Sequence, residues 1–107
     1  MGHRHCDGDY GHQTNELNFW LPFADVDGSN SLQCETAVGA GDFAPFRCRL
    51  GQVVQFWGNR LQHFTLDNDT RRTRVSLDFR VGIGKYFDPQ WQLEGAKAQH
   101  TRREITV

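Results

Sequence analysis

The sequence predicts an all-β fold of the sandwich or barrel type, organised as a jelly roll. Apolar and polar residues alternate with a period of two in several short segments, which is the pattern of half-buried strands. Glycine, asparagine and aspartate separate these segments at short intervals, as expected for strands that are joined by turns. No segment shows a convincing helical period. Short strands at close spacing are typical of sandwiches, barrels and jelly rolls.

The cleanest alternation predicts the first strong strand at residues 16–23. Leu17, Phe19 and Leu21 fall on one face of this strand, and Asn18 falls on the other. The strand therefore has one apolar face for packing, and its second face can contribute a polar side chain to a pocket.

Five further strands are predicted downstream, each bounded by turn-forming residues. The last is the strongest, because Val75, Leu77 and Phe79 alternate with Arg74 and Ser76. The five segments are residues 31–36, 46–50, 52–57, 60–66 and 71–81, followed by a weakly patterned tail at 88–107 with a short strand at 103–107.

A tight turn between the last two strong strands predicts a contact between two polar residues. If Asp67–Thr70 is a four-residue hairpin loop, His63 lies directly opposite Arg74. Directly opposed residues share a face, with Cβ atoms roughly 4.5–5.5 Å apart. The imidazole and the guanidinium are then neighbours, and Ser76 follows on the face of Arg74.

The composition is that of one small domain over residues 1–107. A net charge of −1, from 12 basic and 13 acidic residues without a long run of either sign, does not indicate a nucleic acid or an anionic membrane as partner. No apolar run is long enough to span a bilayer, and the polar, histidine-rich start is unlike a signal peptide. Three cysteines without a paired framework favour a reducing, cytoplasmic location.

A candidate metal site begins at the start of the chain. His5 and Asp7 are two residues apart, so on a strand their side chains project from the same face. With His63 they form a set of two imidazoles and one carboxylate, which leaves coordination positions open and favours non-haem Fe(II) and oxygen chemistry. His3 and His12 compete as the first ligand, but only His5 is followed by an aspartate two residues later.

Five short motifs together resemble the Fe(II)/2-oxoglutarate-dependent dioxygenase superfamily, and within it the branch of streptomycin-biosynthesis-type and phytanoyl-CoA dioxygenase-like enzymes. The resemblance covers residues 3–81. The motifs are HCD at 5–7, YGHQ at 10–13, ELNFWLP at 16–22, GNRLQH at 58–63 and TRVSLDFR at 73–80.

The resemblance implies a fold and a set of site residues. The fold is a double-stranded β-helix, the cupin-like form of the jelly roll. His5, Asp7 and His63 are implied as Fe(II) ligands. Arg74 is implied to bind the distal carboxylate of 2-oxoglutarate, with Ser76 hydrogen-bonding the same group. Arginine suits this role because its planar, permanently charged fork pairs with a carboxylate through two parallel hydrogen bonds.

Three further residues are candidates for the pocket. Tyr10 can hydrogen-bond the cosubstrate or the substrate, or it can simply cover the core as a loop aromatic. Asn18 lies on the polar face of the first strong strand. His12 follows Tyr10 closely and is assigned to the surroundings of the metal ligands or to solvent.

The functional expectation is an Fe(II)- and 2-oxoglutarate-dependent dioxygenase that uses O₂ to oxidise a small organic substrate, in secondary metabolism by analogy with the family. One alternative is a non-oxidative, cupin-like protein that uses a metal for isomerisation or simply binds a small molecule. The other is an inactive oxygenase fragment. The sequence does not indicate an oligomeric state.

The chain is expected to be the C-terminal portion of such a β-helix, incomplete at its N-terminus. Enzymes of this superfamily carry strands and helices ahead of the HxD motif, which begins here at residue 5. In addition, the apolar face of the strand at residues 71–81 needs cover from another element.

Overall fold

The computed structural model describes residues 2–91, which form an all-β structure of two antiparallel sheets. This is the fold class that the alternation predicts. Within these residues there is no α-helix, only two short 3-10 helices at Asp7–Tyr10 and Gly84–Tyr86. The strands are β1 (Glu16–Pro22), β2 (Leu32–Cys34), β3 (Ala44–Pro45), β4 (Val54–Phe56), β5 (His63–Thr65) and β6 (Ser76–Gly82).

Each sheet has three strands, and the hydrophobic core contains residues of both. The first sheet has the order β4–β1–β6 and the second the order β3–β2–β5. Trp20 and Phe56 of the first sheet belong to one buried cluster with Leu32 and Cys34 of the second. The arrangement is that of a β-sandwich, in which the two inner faces share one core.

β1 lies in the centre of the first sheet, and its two faces differ. Asn18 and Trp20 are buried, whereas Leu17 and Phe19 on the opposite face are only half-buried. The same alternation continues into β6, because Asn18 pairs with Arg80. The inner face of this sheet is therefore partly polar, and it is the face that carries the site.

The outer face of the first sheet is apolar and exposed. Leu77, Phe79 and Val81 of β6 are 49%, 40% and 42% exposed. Phe79 stacks on Phe19 of β1 with ring centroids 5.4 Å apart. No other described element covers these side chains.

The predicted hairpin between the last two strong strands is wrong. β5 pairs with β2 and β6 pairs with β1, so the two strands lie in different sheets and His63 is not the strand partner of Arg74. The chain between them crosses from one sheet to the other. It contains local polar contacts instead of a tight turn, since the side chains of Asn68 and Thr70 bond the backbone carbonyl of Arg72.

The other predicted strands are found in shorter form, β6 ending one residue later than predicted, except the one at residues 46–50. There, Cys48 forms only an isolated bridge with Val26, and the short strand β3 lies just upstream. The predicted strand at residues 103–107, with most of the tail at 88–107, lies outside the described residues. Within residues 2–91, no helix has the length and apolarity needed to cross a lipid bilayer.

Candidate metal centre

His5 and His63 are brought together by their own backbones. Their peptide groups form an isolated antiparallel bridge, in which His5 N donates to His63 O over 3.2 Å and His63 N donates to His5 O over 3.0 Å. Directly opposed side chains share a face, and the two imidazole centroids are 4.6 Å apart. His5 thus adds a single pairing to the free side of β5.

Asp7 follows on a tight turn instead of a continuing strand. The 3-10 helix at Asp7–Tyr10 begins directly after Cys6, whose N–H donates to Oδ2 of Asp9 over 2.9 Å. The backbone N–H of Asp7 donates to Gly58 O over 2.8 Å, which fixes the position of the carboxylate. His5 and Asp7 thus do not lie on one regular strand, as their spacing suggested, but their side chains still meet.

His5, Asp7 and His63 form a compact cluster that can hold a metal ion. Oδ1 of Asp7 lies 3.4 Å from Nε2 of His63 and 3.8 Å from Nε2 of His5. One ligand atom from each residue lies within 4.8 Å of the others. Asp7 and His63 are buried, whereas the side chain of His5 is 28% exposed. The cluster is therefore closed by the protein on one side and accessible beside His5.

The hydrogen bonds of the two histidines leave both Nε2 atoms available as ligands. Nδ1 of His63 lies 2.9 Å from the carbonyl of Leu61, and Nδ1 of His5 lies 2.6 Å from that of His3. A carbonyl only accepts, so each Nδ1 donates its hydrogen, and in an uncharged ring the Nε2 lone pair then faces Asp7. Lone pairs that face a carboxylate require a cation between them, either a proton or a metal ion. Orientation of a ligating histidine by such a backbone contact is common in metal sites.

The other oxygen of Asp7 is held by the first sheet. Oδ2 accepts from Arg80 Nε over 2.7 Å and from Asn18 Nδ2 over 2.5 Å. Asn18 and Arg80 are paired positions of β1 and β6. Sequence reasoning placed Asn18 in the pocket but missed Arg80. The alternation of β6 could have identified it, since Arg80 lies on the same face as Ser76.

The charges of the cluster depend on one another. Burial alone raises the pKa of Asp7, but the contacts with His63, Arg80 and Asn18 outweigh it and hold that pKa well below its usual range. Burial lowers the pKa of His63, yet the contacts with Asp7 and the Leu61 carbonyl raise it above its ordinary value. Asp7 is therefore an anion in the folded protein.

Gly58 provides space for Asn18. A Cβ added at Gly58 would lie 2.6 Å from Asn18 Nδ2, closer than a Cβ atom approaches a neighbouring side chain in proteins. Gly58 N also donates to Asn18 Oδ1 over 3.1 Å. This glycine therefore sets the position of Asn18 and, through Asn18 and its own carbonyl, the position of Asp7.

Arg74 lies just before β6, half-buried, and has no carboxylate partner within residues 2–91. Its Nη1 is 3.4 Å from Ser76 Oγ, and its Cζ is 5.4 Å from the centre of the Trp20 ring. Burial lowers the pKa of Arg74. A guanidinium that is partly removed from water without a counterion favours an anionic ligand.

Tyr10 and His12 lie at the margin of the cluster. The Tyr10 ring packs edge-on against His5 with centroids 4.9 Å apart, and the side chain is 50% exposed. Nδ1 of His12 lies 3.0 Å from Oε2 of Glu16. His12 is therefore engaged with a carboxylate outside the three-residue cluster, and His3 contributes only its carbonyl.

Comparison with known proteins identifies a relative among biosynthetic proteins. The chain is 34% identical over 89 residues to the streptomycin biosynthesis protein StrG of Streptomyces griseus. The match covers 83% of this chain but 41% of StrG, so the chain spans about two fifths of the length of that relative. No protein-family model matches the chain, and no solved structure matches it.

Proposed function

We propose that the chain contributes to an enzyme of secondary metabolism, a non-haem Fe(II)- and 2-oxoglutarate-dependent dioxygenase that oxidises a small organic substrate with O₂. The likeness to a streptomycin biosynthesis protein supports the metabolic setting. The geometry of Asp7 supports the metal dependence, and it is the observation on which the proposal mainly rests. One oxygen of this carboxylate is bonded to the protein, while the other faces two oriented imidazoles.

The donor set fits Fe(II). Two imidazole nitrogens and one carboxylate oxygen, with further positions open, are the set that non-haem Fe(II) oxygenases use. Arg80 adds a positive charge at the outer oxygen of Asp7 and keeps this ligand ionised and oriented. We therefore assign His5, Asp7 and His63 as the residues that would hold iron.

The surroundings of Arg74 fit the cosubstrate. Its guanidinium, half-buried and without a carboxylate partner in the described part of the chain, is suited to the distal carboxylate of 2-oxoglutarate. Ser76 supplies a hydroxyl beside it, and the ring of Trp20 lies on another side of the guanidinium. When bound, iron and 2-oxoglutarate supply oxidation of the substrate by O₂, with decarboxylation of the cosubstrate to succinate.

We also propose that the fold is a double-stranded β-helix and that the protein is cytoplasmic. Two antiparallel sheets around one core support a double-stranded β-helix, and a jelly roll has about eight strands. The six described strands would then be part of that unit, and its remaining elements would cover the exposed apolar face of the first sheet. All three cysteines are free thiols, which supports a cytoplasmic setting.

Anaerobic titration tests this function directly. Fe(II) and 2-oxoglutarate, added together without oxygen, are expected to produce a weak visible charge-transfer band that neither produces alone. His63→Ala should abolish metal binding, and Arg74→Ala should raise the 2-oxoglutarate concentration needed for the band. His3→Ala and Arg60→Ala serve as matched controls, because both side chains are exposed and lie outside the cluster.

The alternatives give different results. A protein that binds metal but never develops the band would be a cupin-like isomerase or small-molecule-binding protein. A protein that binds no metal would be an inactive fragment. A 2-oxoglutarate requirement that Arg74→Ala leaves unchanged would contradict the assignment of the cosubstrate.

A further inference from the structure

Two adjoining cavities flank the segment that leads into β6. The larger, of about 370 Å³, is lined by residues that include Ser29, Asn30, Asn68 and the stretch 71–74. The smaller, of about 250 Å³, shares Asn30 and residues 72–74 with it. The larger volume is at the lower end of the range for small-ligand pockets. We call the two cavities together the arginine groove, because Arg71, Arg72 and Arg74 all line it.

The arginine groove has an excess of positive charge. None of its three arginines forms an ion pair with a carboxylate within residues 2–91. Among the described lining residues Asp25 is the one acid, and Asp69 contacts the lining through Ser29. Asp25 accepts the backbone N–H of Leu50 over 2.8 Å, and Asp69 accepts the hydroxyl of Ser29.

The backbone at the groove has an uncommon conformation. Arg71 has φ 61°, in the left-handed region that residues other than glycine rarely adopt. The conformation is held by local contacts, in which Asn68 Nδ2 donates to Arg72 O over 2.7 Å and Arg72 N donates to Thr70 Oγ1 over 3.3 Å. Three arginines within four positions therefore line one groove instead of alternating between the faces of a strand.

We infer that the arginine groove binds the phosphate group of a phosphorylated small molecule. A phosphate has more charge and more acceptor oxygens than a carboxylate, so it can engage several guanidinium forks at once. Thr73 adds a hydroxyl to the same cavity, and Asn30 and Asn68 each have a second amide hydrogen besides the one donated to the carbonyl of Asp25 or Arg72. The inference deepens the proposed function and rests on it in one respect. If Arg74 binds the cosubstrate, Arg71 and Arg72 bind the phosphate of the substrate beside it.

Calorimetric titration of the metal-free protein with inorganic phosphate at constant ionic strength tests the inference. Saturable binding is expected, and the double change Arg71→Asn and Arg72→Gln should weaken it about tenfold or more. Asparagine is chosen because it tolerates a positive φ. Arg60→Gln removes one positive charge, as Arg72→Gln alone does, from an exposed residue outside the groove and should leave binding unchanged.

Further arms separate the possible outcomes. Thermal melting checks that each variant folds. If the double variant does not fold, the phosphate affinity of Arg72→Gln alone tests the inference instead. Equal weakening by Arg60→Gln, or no saturable binding, would overturn the inference. Titration with succinate tests a carboxylate instead, and succinate binding that depends on Arg71 and Arg72 as strongly as phosphate binding would also overturn it. His63→Ala should leave phosphate binding intact, so failure of the metal site and failure of the groove are distinguishable.

Discussion

Arg80 donates from Nε to Oδ2 of Asp7 over 2.7 Å, and this contact joins the first sheet to the turn that carries the carboxylate. The two residues lie far apart in the sequence and come from different parts of the fold. Because Oδ2 is engaged in this way, Oδ1 alone faces His5 and His63. The ion pair thus determines which oxygen of Asp7 is available to a metal.

Arg80→Gln is expected to weaken metal binding about 10- to 100-fold, because loss of a partner that orients a ligand has effects of that size. The variant should also lower the free energy of unfolding by about 2 kcal/mol, since a buried carboxylate loses a charged partner. Fe(II) titration and urea denaturation measure the two effects. Arg60→Gln is the control for charge, and a metal affinity unchanged in Arg80→Gln would show that Asp7 does not need this orientation.

Gly58→Ala is expected to destabilise the fold by about 1–3 kcal/mol, because the new methyl group would overlap the Asn18 amide. A double-mutant cycle with Asn18→Ala isolates the cause. If the cost arises from this overlap, adding Gly58→Ala to a chain that already carries Asn18→Ala should cost much less. Equal costs in both backgrounds would assign the effect to the backbone at position 58 instead.

The hydrogen bonds of Glu35 are expected to make the fold less stable in acid. Its carboxylate accepts Gln62 N over 2.8 Å and Gly41 N over 3.0 Å. These backbone contacts lower the pKa of Glu35. A carboxylate with a lowered pKa stabilises the fold above its unfolded-state value, about 4.3, and this contribution is lost as the pH falls through the folded-state value.

Melting temperatures measured across this pH range test the Glu35 prediction. Glu35→Gln should be less stable than the unmodified chain at neutral pH, and the difference should shrink as the pH is lowered. Asp67→Asn, at an exposed loop carboxylate, serves as the control. If the difference in melting temperature between the unmodified chain and Glu35→Gln stays constant with pH, the charge of Glu35 does not contribute to stability.

Leu77→Lys is expected to reduce binding of a hydrophobic dye, because Leu77 belongs to the exposed apolar face of the first sheet. The free energy of unfolding should change by no more than about 0.5 kcal/mol, as is usual for surface positions. Metal affinity should stay the same, since the side chain lies on the face opposite Ser76. Val38→Lys, at an exposed loop residue, is the control. Equal dye binding by all three proteins would mean that the dye binds elsewhere.

The sequence predicted those parts of the fold that depend on local alternation. The period-two pattern located β1 almost to the residue, and it also predicted the apolar face of β6. The predicted hairpin failed because the pattern within β5 and β6 is the same whether they pair or belong to different sheets. Only long-range packing decides whether the two strands pair with each other, and in this fold it places them in different sheets.

The three residues of the candidate metal site were predicted from family motifs and not from local alternation. The two-residue spacing from His5 to Asp7 suggested a shared strand face, but the chain bends into a 3-10 helix at Asp7. Family motifs, not periodicity, related these residues to His63. Arg80 was missed because the alternation of β6 shows only that it shares the face of Ser76, whereas its contact with Asp7 depends on the pairing of β6 with β1.

The backbone bridge between His5 and His63 has a consequence for the order of unfolding. It makes the segment before β1 a single-pairing extension of the second sheet. An ion shared by the two imidazoles would act as a cross-link, and cross-links stabilise largely by restricting the unfolded chain. Removal of the ion by a chelator should then release this segment before either sheet opens. The amide of His5 should be among the first to exchange its hydrogen with solvent.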